Sequence, residues 1–297
     1  MTLPVVTGRG WRGGAFAAGP AAPSGVTYDE DAQTYFAALE AASGWSEPAD
    51  YADKKSAISD YFTNLKEDSN FTEIKAMYLP IWRVAAPNAI NAVNPGPYDL
   101  PFVHTVTHTG GDYIYGDGAA TNGGYAHGGF HGVASSNAKF FEVGSASMGC
   151  NALNDTGSQS AAFGWYNFCA LFPYWSGTTA GLYWMTTTHN NISTGMSAPT
   201  LTSGFWSLNS IAPGAGKTNR AQLWRNGSSM HTTTAATGSG LGGGLYDSTP
   251  MSLMARMHSN GAAYSESAIQ FNFWFFGTEI TDMAAFNTDT ATMLAAI

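Results

Sequence analysis

The sequence predicts a mainly β protein, an antiparallel β-sandwich preceded by a short α-helical subdomain and an extended N-terminal arm. Three observations predict it. Charged residues make up 11% of the chain, against roughly 25% in an average soluble protein, while Gly, Thr, Ser, Asn and aromatic residues abound. Apolar spacing near 3.6 dominates residues 28–79, which hold 11 acidic and 4 basic residues. From residue 80 onward the chain breaks into short apolar runs separated by Gly, Asn, Ser and Thr, the rhythm of a sandwich or jelly roll. At 297 residues the chain can bury one sizeable core or two modest ones without staples or metals.

Residues 1–27 form the first segment, with Gly8, Gly10, Gly13, Gly14, Gly19, Pro20, Pro23 and Gly25 interrupting any regular pattern. Arg9, Trp11, Arg12 and Phe16 are set among them. Two readings stand: a disordered leader, or an anchoring arm that orders against a neighbouring subunit, since Trp and Phe are costly to leave in water. Residues 28–79 are expected to form a helical subdomain. Ala32, Tyr35, Phe36 and Leu39 fall at i, i+3, i+4, i+7 behind a Thr27–Glu30 capping box, giving a first helix to about Ala42. Ile58, Tyr61, Phe62 and Leu65 repeat the spacing after Pro48, and Phe71, Ile74, Met77 and Tyr78 predict a third helix ended by Pro80.

Residues 80–297 are expected to be a β-sandwich closed by a C-terminal helix. Strands are predicted at 139–143, 161–172, 181–188, 203–209, 251–258 and 267–276. In the last, Ile269, Phe271, Phe273 and Phe275 alternate with Gln270 and Asn272, so one face is wholly apolar. Asn226-Gly227 between two strand-like runs signals a type I′ hairpin. Thr281–Ile297 reads as the closing helix, with Met283, Phe286, Met293 and Leu294 facing inward.

Several function classes lose support. A net charge of −9 and a pI near 5.1 leave no basic surface for nucleic acid. Met1–Gly10 lacks an apolar core behind a basic stretch, and no apolar run approaches the roughly 18 residues that span a bilayer, so neither standard export nor membrane insertion is expected. Ala212–Thr218 imitates a phosphate-binding P-loop, but Ile211 stands where the first glycine belongs and a hairpin follows where a helix is needed. Gly238, Gly240 and Gly243 fit G-x-G-x-x-G without the βαβ context of a dinucleotide site. Glu142, Glu266 and Glu279 are too scattered to suggest the carboxylate pair of a glycosidase, and no G-x-S-x-G elbow occurs. The expectation is a non-enzymatic protein without a cofactor.

Three groups of residues keep alternatives open. Cys150 and Cys169 read as two buried thiols or as a disulfide. His104 with His108, and His127 with His131, are spaced i, i+4, which suits surface or subunit-interface histidines. The same spacing would put two rings on one strand face for a metal, but no acidic third ligand accompanies them and no metal site is assigned. Among the aromatics of the strand region, Trp165, Tyr183 and Trp206 are the candidates for stacking on a sugar. Adjacent pairs such as Trp165-Tyr166 and Tyr183-Trp184 must point to opposite sheet faces, so one member of each belongs to the core.

The Leu223-Trp224-Arg225-Asn226-Gly227 hairpin, the run Ser252-Leu253-Met254-Ala255-Arg256, the aromatic strand and Gly277-Thr278-Glu279-Ile280-Thr281-Asp282 together resemble the end of a concanavalin A-like, laminin-G-like lectin domain. Tyr28–Tyr35, Lys54–Leu65 and Phe71–Ala76 resemble the helical N-terminal region of lectin-like structural proteins of tailed bacteriophages, and Tyr115–Ala119 is similar to the glycine-aspartate-glycine turn that opens their β-domain. The resemblance implies a jelly-roll protein located in the virion, a capsid-decoration or head-fibre subunit that contacts other virion subunits. It implies assembly as a homo-oligomer, expected to be a trimer. The alternative it implies is a tail receptor-binding module that recognises host surface glycans.

Overall fold

The computed structural model describes residues 27–96, 99–103, 106–109, 113–116, 125–131, 146–154, 161–165, 169–176, 179–184, 190–193, 203–211, 220–232, 250–254, 256–257, 263–264 and 268–297. Two helices come first, α1 (Glu30–Ala41) and α2 (Tyr51–Glu67), then β1 (Ile74–Tyr78) and the short α3 (Ala85–Ala89). The strands continue with β2 (Phe102–Val103), β3 (Val106–His108), β4 (Ile114–Gly116), β5 (Tyr125–His131), β6 (Ser147–Ala152), β7 (Phe163–Trp165), β8 (Cys169–Ser176) and β9 (Thr179–Trp184). After these come β10 (Asn190–Ser193), β11 (Gly204–Ile211), β12 (Arg220–Arg225), β13 (Ser228–Thr232), β14 (Pro250–Leu253), β15 (Arg256–Met257), β16 (Ala263–Tyr264) and β17 (Phe271–Gly277), and α4 (Met283–Ala296) closes the chain.

The strands form two sheets, as the sandwich prediction requires. One is eight-stranded, in the order β13-β12-β11-β6-β17-β4-β3, with β1 also paired to β17. The other is nine-stranded, β10-β9-β8-β7-β14-β5-β2, with β15 and β16 beside β7. Pairing is antiparallel except for a single Met257–Trp165 bridge. Residues from both sheets, among them Met148, Leu208 and Phe276 from the first and Phe163, Leu171 and Leu253 from the second, share one buried cluster, so the sheets pack face to face.

The first sheet is buried on its other face as well. Phe205, Phe273 and Phe275 join Tyr35, Phe36, Leu39, Ile58, Tyr61, Phe62, Phe286 and Met293 in a second cluster made with α1, α2 and α4. The architecture is therefore three layers: helices, sheet, sheet. This revises two expectations. The strand at the C-terminal end does not confine its aromatics to one face: its pairing with β6 shifts register between Phe271 and Phe273. The bulge leaves Phe271, Trp274 and Phe276 between the sheets and sends Phe273 and Phe275 beneath the helices. The predicted third helix is instead a 3₁₀ turn at Phe71–Glu73 followed by β1. Ile74 and Met77 face the helices while Ala76 and Tyr78 face the sandwich, and a register shift between Ile74 and Ala76 hides the period of two that would have marked a strand. The expected boundary at 79/80 thus falls directly behind a sheet strand, and the helices are a layer of the sandwich rather than a body beside it.

Local chemistry explains the helix ends. The expected Thr27–Glu30 box does not start α1. The carboxylate of Asp29 does, accepting from the N–H groups of Asp31 at 3.0 Å and Ala32 at 3.3 Å. Lys66 clamps that cap from α2, with Nζ 2.8 Å from Asp29 and 2.6 Å from Asp31. α4 starts two residues later than expected, where Asp282 accepts from Ala284 and Ala285. The hairpin prediction holds: Asn226 and Gly227 adopt φ of 47° and 76° between β12 and β13, as a type I′ turn demands. Gly277 has no room for a side chain, because a Cβ there would strike the carbonyl oxygen of Glu73.

Candidate functional site

Where helices and sheet meet, the loop before α2 and the loop after β1 enclose a cleft of about 310 Å³. Its walls include Trp45, Pro48, Asp50, Lys54, Trp82 and Arg83. The first loop is set by Gly44, whose φ of 75° turns the chain sharply out of α1 and brings Trp45 over the sheet side. The second leaves β1 at Leu79-Pro80, where proline ends the strand's hydrogen bonding. Trp82 is held there at three points. Its N–H donates to Asn88 Oδ1 at 2.8 Å, its carbonyl accepts from Asn88 Nδ2 at 2.7 Å, and its indole Nε1 donates to the Tyr35 hydroxyl at 3.0 Å. Asn88 Nδ2 also lies 2.9 Å from His108 Nδ1, and burial lowers the His108 pKa.

Two rings, Trp45 and Trp82, line the cleft edge to face at 5.3 Å, and Tyr51 packs behind them, 5.0 Å from Trp45 and 5.9 Å from Trp82. Trp82 is buried; Trp45 is half-buried and keeps part of its ring in solvent. Lys54, buried over its whole side chain, sits 5.7 Å over the Trp82 ring and 3.1 Å from the Asp50 carboxylate. Asp50 stands at the N-cap of α2 without capping it by its side chain, so its oxygens face Lys54 and the cleft mouth. Tyr51 spends its hydroxyl on Glu40 at 2.9 Å, and burial followed by that carboxylate drives its pKa far upward, so it stays neutral. The cleft thus offers an aromatic platform, one carboxylate and two cations. That set, drawn from the described residues, suits hydrogen bonding and stacking.

The residues expected from sequence lie elsewhere. Trp206 is fully buried between the sheets, with the Arg225 guanidinium 5.0 Å over its ring. Its faces are already covered, so it does not stack on a sugar. Trp165 and Tyr183 lie on β7 and β9, where their backbone partners are Cys169 and Ala170; their side chains are outside the described residues. So are Arg9, Trp11, Arg12 and Phe16, the P-loop-like and glycine-rich segments, the strand expected at 139–143 and His104. His127 and His131 lie on β5 with side chains not described. Among the described residues no three His, Cys, Asp or Glu side chains converge as metal ligands. Cys150 is free and buried, which drives its thiol pKa upward. Sequence reasoning missed Trp45, Lys54, Trp82 and Arg83 as a group; the only local signal was two tryptophans in the loops flanking α2 and β1.

The sequence matches no protein-family model and no curated protein. Among solved structures the chain is similar to domain 4 of AbnA, a GH43 extracellular arabinanase from Geobacillus stearothermophilus, in complex with arabinotriose. Identity there is 12%, the TM-score is 0.44, and the match covers 72% of this chain and 97% of that one. A botulinum neurotoxin type C chain matches at 7% identity and TM-score 0.47, over 76% of this chain and 52% of its own length. The IT-sialidase CBM40 of Ruminococcus gnavus bound to alpha2,6 sialyllactose matches at 8% identity and TM-score 0.37, over 49% of this chain and 82% of that one.

Proposed function

We propose that the chain is a non-enzymatic, lectin-like structural module of a tailed-phage particle, a homo-oligomeric capsid-decoration or head-fibre subunit that contacts other virion subunits through residues 1–27. The observation that carries this reading is the fusion of α1, α2 and α4 to the outer face of the eight-stranded sheet in one buried cluster. Two of the three helical segments on which the sequence resemblance rests, Tyr28–Tyr35 and Lys54–Leu65, fall on α1 and α2, whereas Phe71–Ala76 is a turn and the start of β1; a sandwich stiffened on one side suits display from a surface. The second reading, a tail module that recognises host surface glycans, is favoured by the tryptophan cleft, with Trp165 and Tyr183 as further stacking candidates. Labelling purified phage particles with an antibody against residues 80–297 tests both in electron microscopy. Label over the head supports decoration, label at the tail tip supports host recognition, and particles without label overturn both. Deleting residues 1–27 is expected to abolish incorporation into particles; unchanged incorporation contradicts the anchoring role.

A further inference from the structure

The cleft between α2 and the loop after β1 has a charge balance unlike its surroundings. Residues 28–79 carry 11 acidic and 4 basic side chains, yet cations outnumber acids on the cleft lining: Lys54 and Arg83 against Asp50. Lys54 and Asp50 compensate one another at 3.1 Å. Arg83 is exposed and, among the described residues, is in no ion pair. An exposed guanidinium and a partly buried tryptophan on the same cleft lining make a pairing of functions. The indole offers an apolar plane for the C–H face of a pyranose, and the guanidinium offers a planar fork whose two parallel N–H groups match a carboxylate. Asp50, whose side chain is 53% exposed, supplies an acceptor for ring hydroxyls. The volume of about 310 Å³ sits at the low end of ligand pockets, which run from about 300 to 1,000 Å³, and leaves room for about one sugar ring.

We propose that this cleft binds a carboxylate-bearing sugar, one hexuronate-type ring stacked on Trp45 with its carboxylate on Arg83. The assignment rests on the lectin-like reading of the chain and adds to it a place and a ligand class. A neutral sugar would use Trp45 and Asp50 but would leave the guanidinium in water, so discrimination between acidic and neutral rings belongs to Arg83.

The test is isothermal titration of the full chain with trigalacturonate and with galactotriose, at low and at physiological salt. Trigalacturonate is expected to bind at least about tenfold more tightly than galactotriose, a difference that shrinks with salt as an exposed ion pair must. Arg83→Gln, a surface change that leaves the aromatic cluster intact, is expected to erase the preference, and Arg83→Lys to restore part of it. Equal binding of the two trisaccharides, or a preference that survives Arg83→Gln, overturns the acidic-sugar assignment while the lectin-like reading stands. Binding of neither, with other glycans still captured in a broad panel, overturns the cleft as the site. Failure to bind any glycan in that panel overturns the assignment together with the glycan-recognition reading beneath it.

Discussion

The two faces of the eight-stranded sheet are buried by different means. Between the sheets the contacts are those of shape: Met148, Cys150, Leu208, Leu223, Phe271, Trp274 and Phe276 interdigitate with Phe163, Leu171 and Leu253. Beneath the helices an equally aromatic surface is threaded by hydrogen bonds. Asn209 exchanges a pair with the Ile280 backbone at 2.8 and 2.9 Å, Ser207 donates to Asn287 at 3.0 Å, and the Tyr61 and Thr290 hydroxyls meet at 2.9 Å. Apolar packing makes both faces adhere, but it is tolerant of sliding and volume-conserving change. The directional bonds of the outer face fix where α4 lies, because a shifted helix would leave buried polar groups unpaired.

That difference can be broken from the packing side first. Phe275→Ala removes a ring that touches Phe286 at 4.6 Å and Phe205 at 6.3 Å, and should cost about 3–5 kcal/mol in denaturant unfolding, the range for a buried aromatic. A loss under about 1 kcal/mol would mean that the helical layer adds little to the sheet. Asn209→Ala should cost less, about 1–3 kcal/mol, because it strands the Ile280 N–H and carbonyl in a buried setting. Asn209→Asp should cost less than Asn209→Ala in the same assay, since it keeps an acceptor for the Ile280 N–H and loses only the donor to its carbonyl. Asp29→Ala, which removes the α1 cap and the anchor of Lys66, is expected to lower stability by about 1 kcal/mol in the same assay.

The smallest effect is electrostatic. Burial, then hydrogen bonding to and repulsion from Asp68, then the charges of Asp282 and Glu67 raise the Asp289 pKa to about 6. A carboxyl whose folded pKa exceeds its unfolded value prefers to fold protonated. Its contribution is therefore present below the unfolded value of 3.8 and is lost as pH rises through about 6. Asp289→Asn should melt at a higher temperature than the parent at pH 8 and at the same temperature near pH 4; an advantage that does not depend on pH would contradict a titrating origin.

Much of this fold was legible in the sequence, and the rest was hidden for a physical reason. The Asn226-Gly227 hairpin, the buried stripes of α1, α2 and α4 and the charge-poor strand region each carry a local signal, because turn chemistry and one-sided burial act over a few residues. β1 lost its signal through burial on two faces and a bulge, which turn an alternating pattern into a continuous apolar run; β17 was legible as a strand, but its bulge divides between two faces the aromatics that the alternation put on one. Trp206 could not be told from a surface aromatic, since its burial depends on the opposite sheet and on Arg225. The cleft was illegible because Trp45 and Trp82 come from different loops and meet only once β1 enters the sheet. The sequence had instead assigned that segment to a helix.

Helices and sandwich are expected to form one folding unit with a common buried layer. Equilibrium unfolding of the full chain in guanidinium, followed in parallel by the far-ultraviolet helical signal and by tryptophan fluorescence, tests it most directly. A single transition with coincident midpoints is expected. A helical signal that melts at lower denaturant than the fluorescence of the tryptophans, which include Trp206 and Trp274 between the sheets, would overturn it.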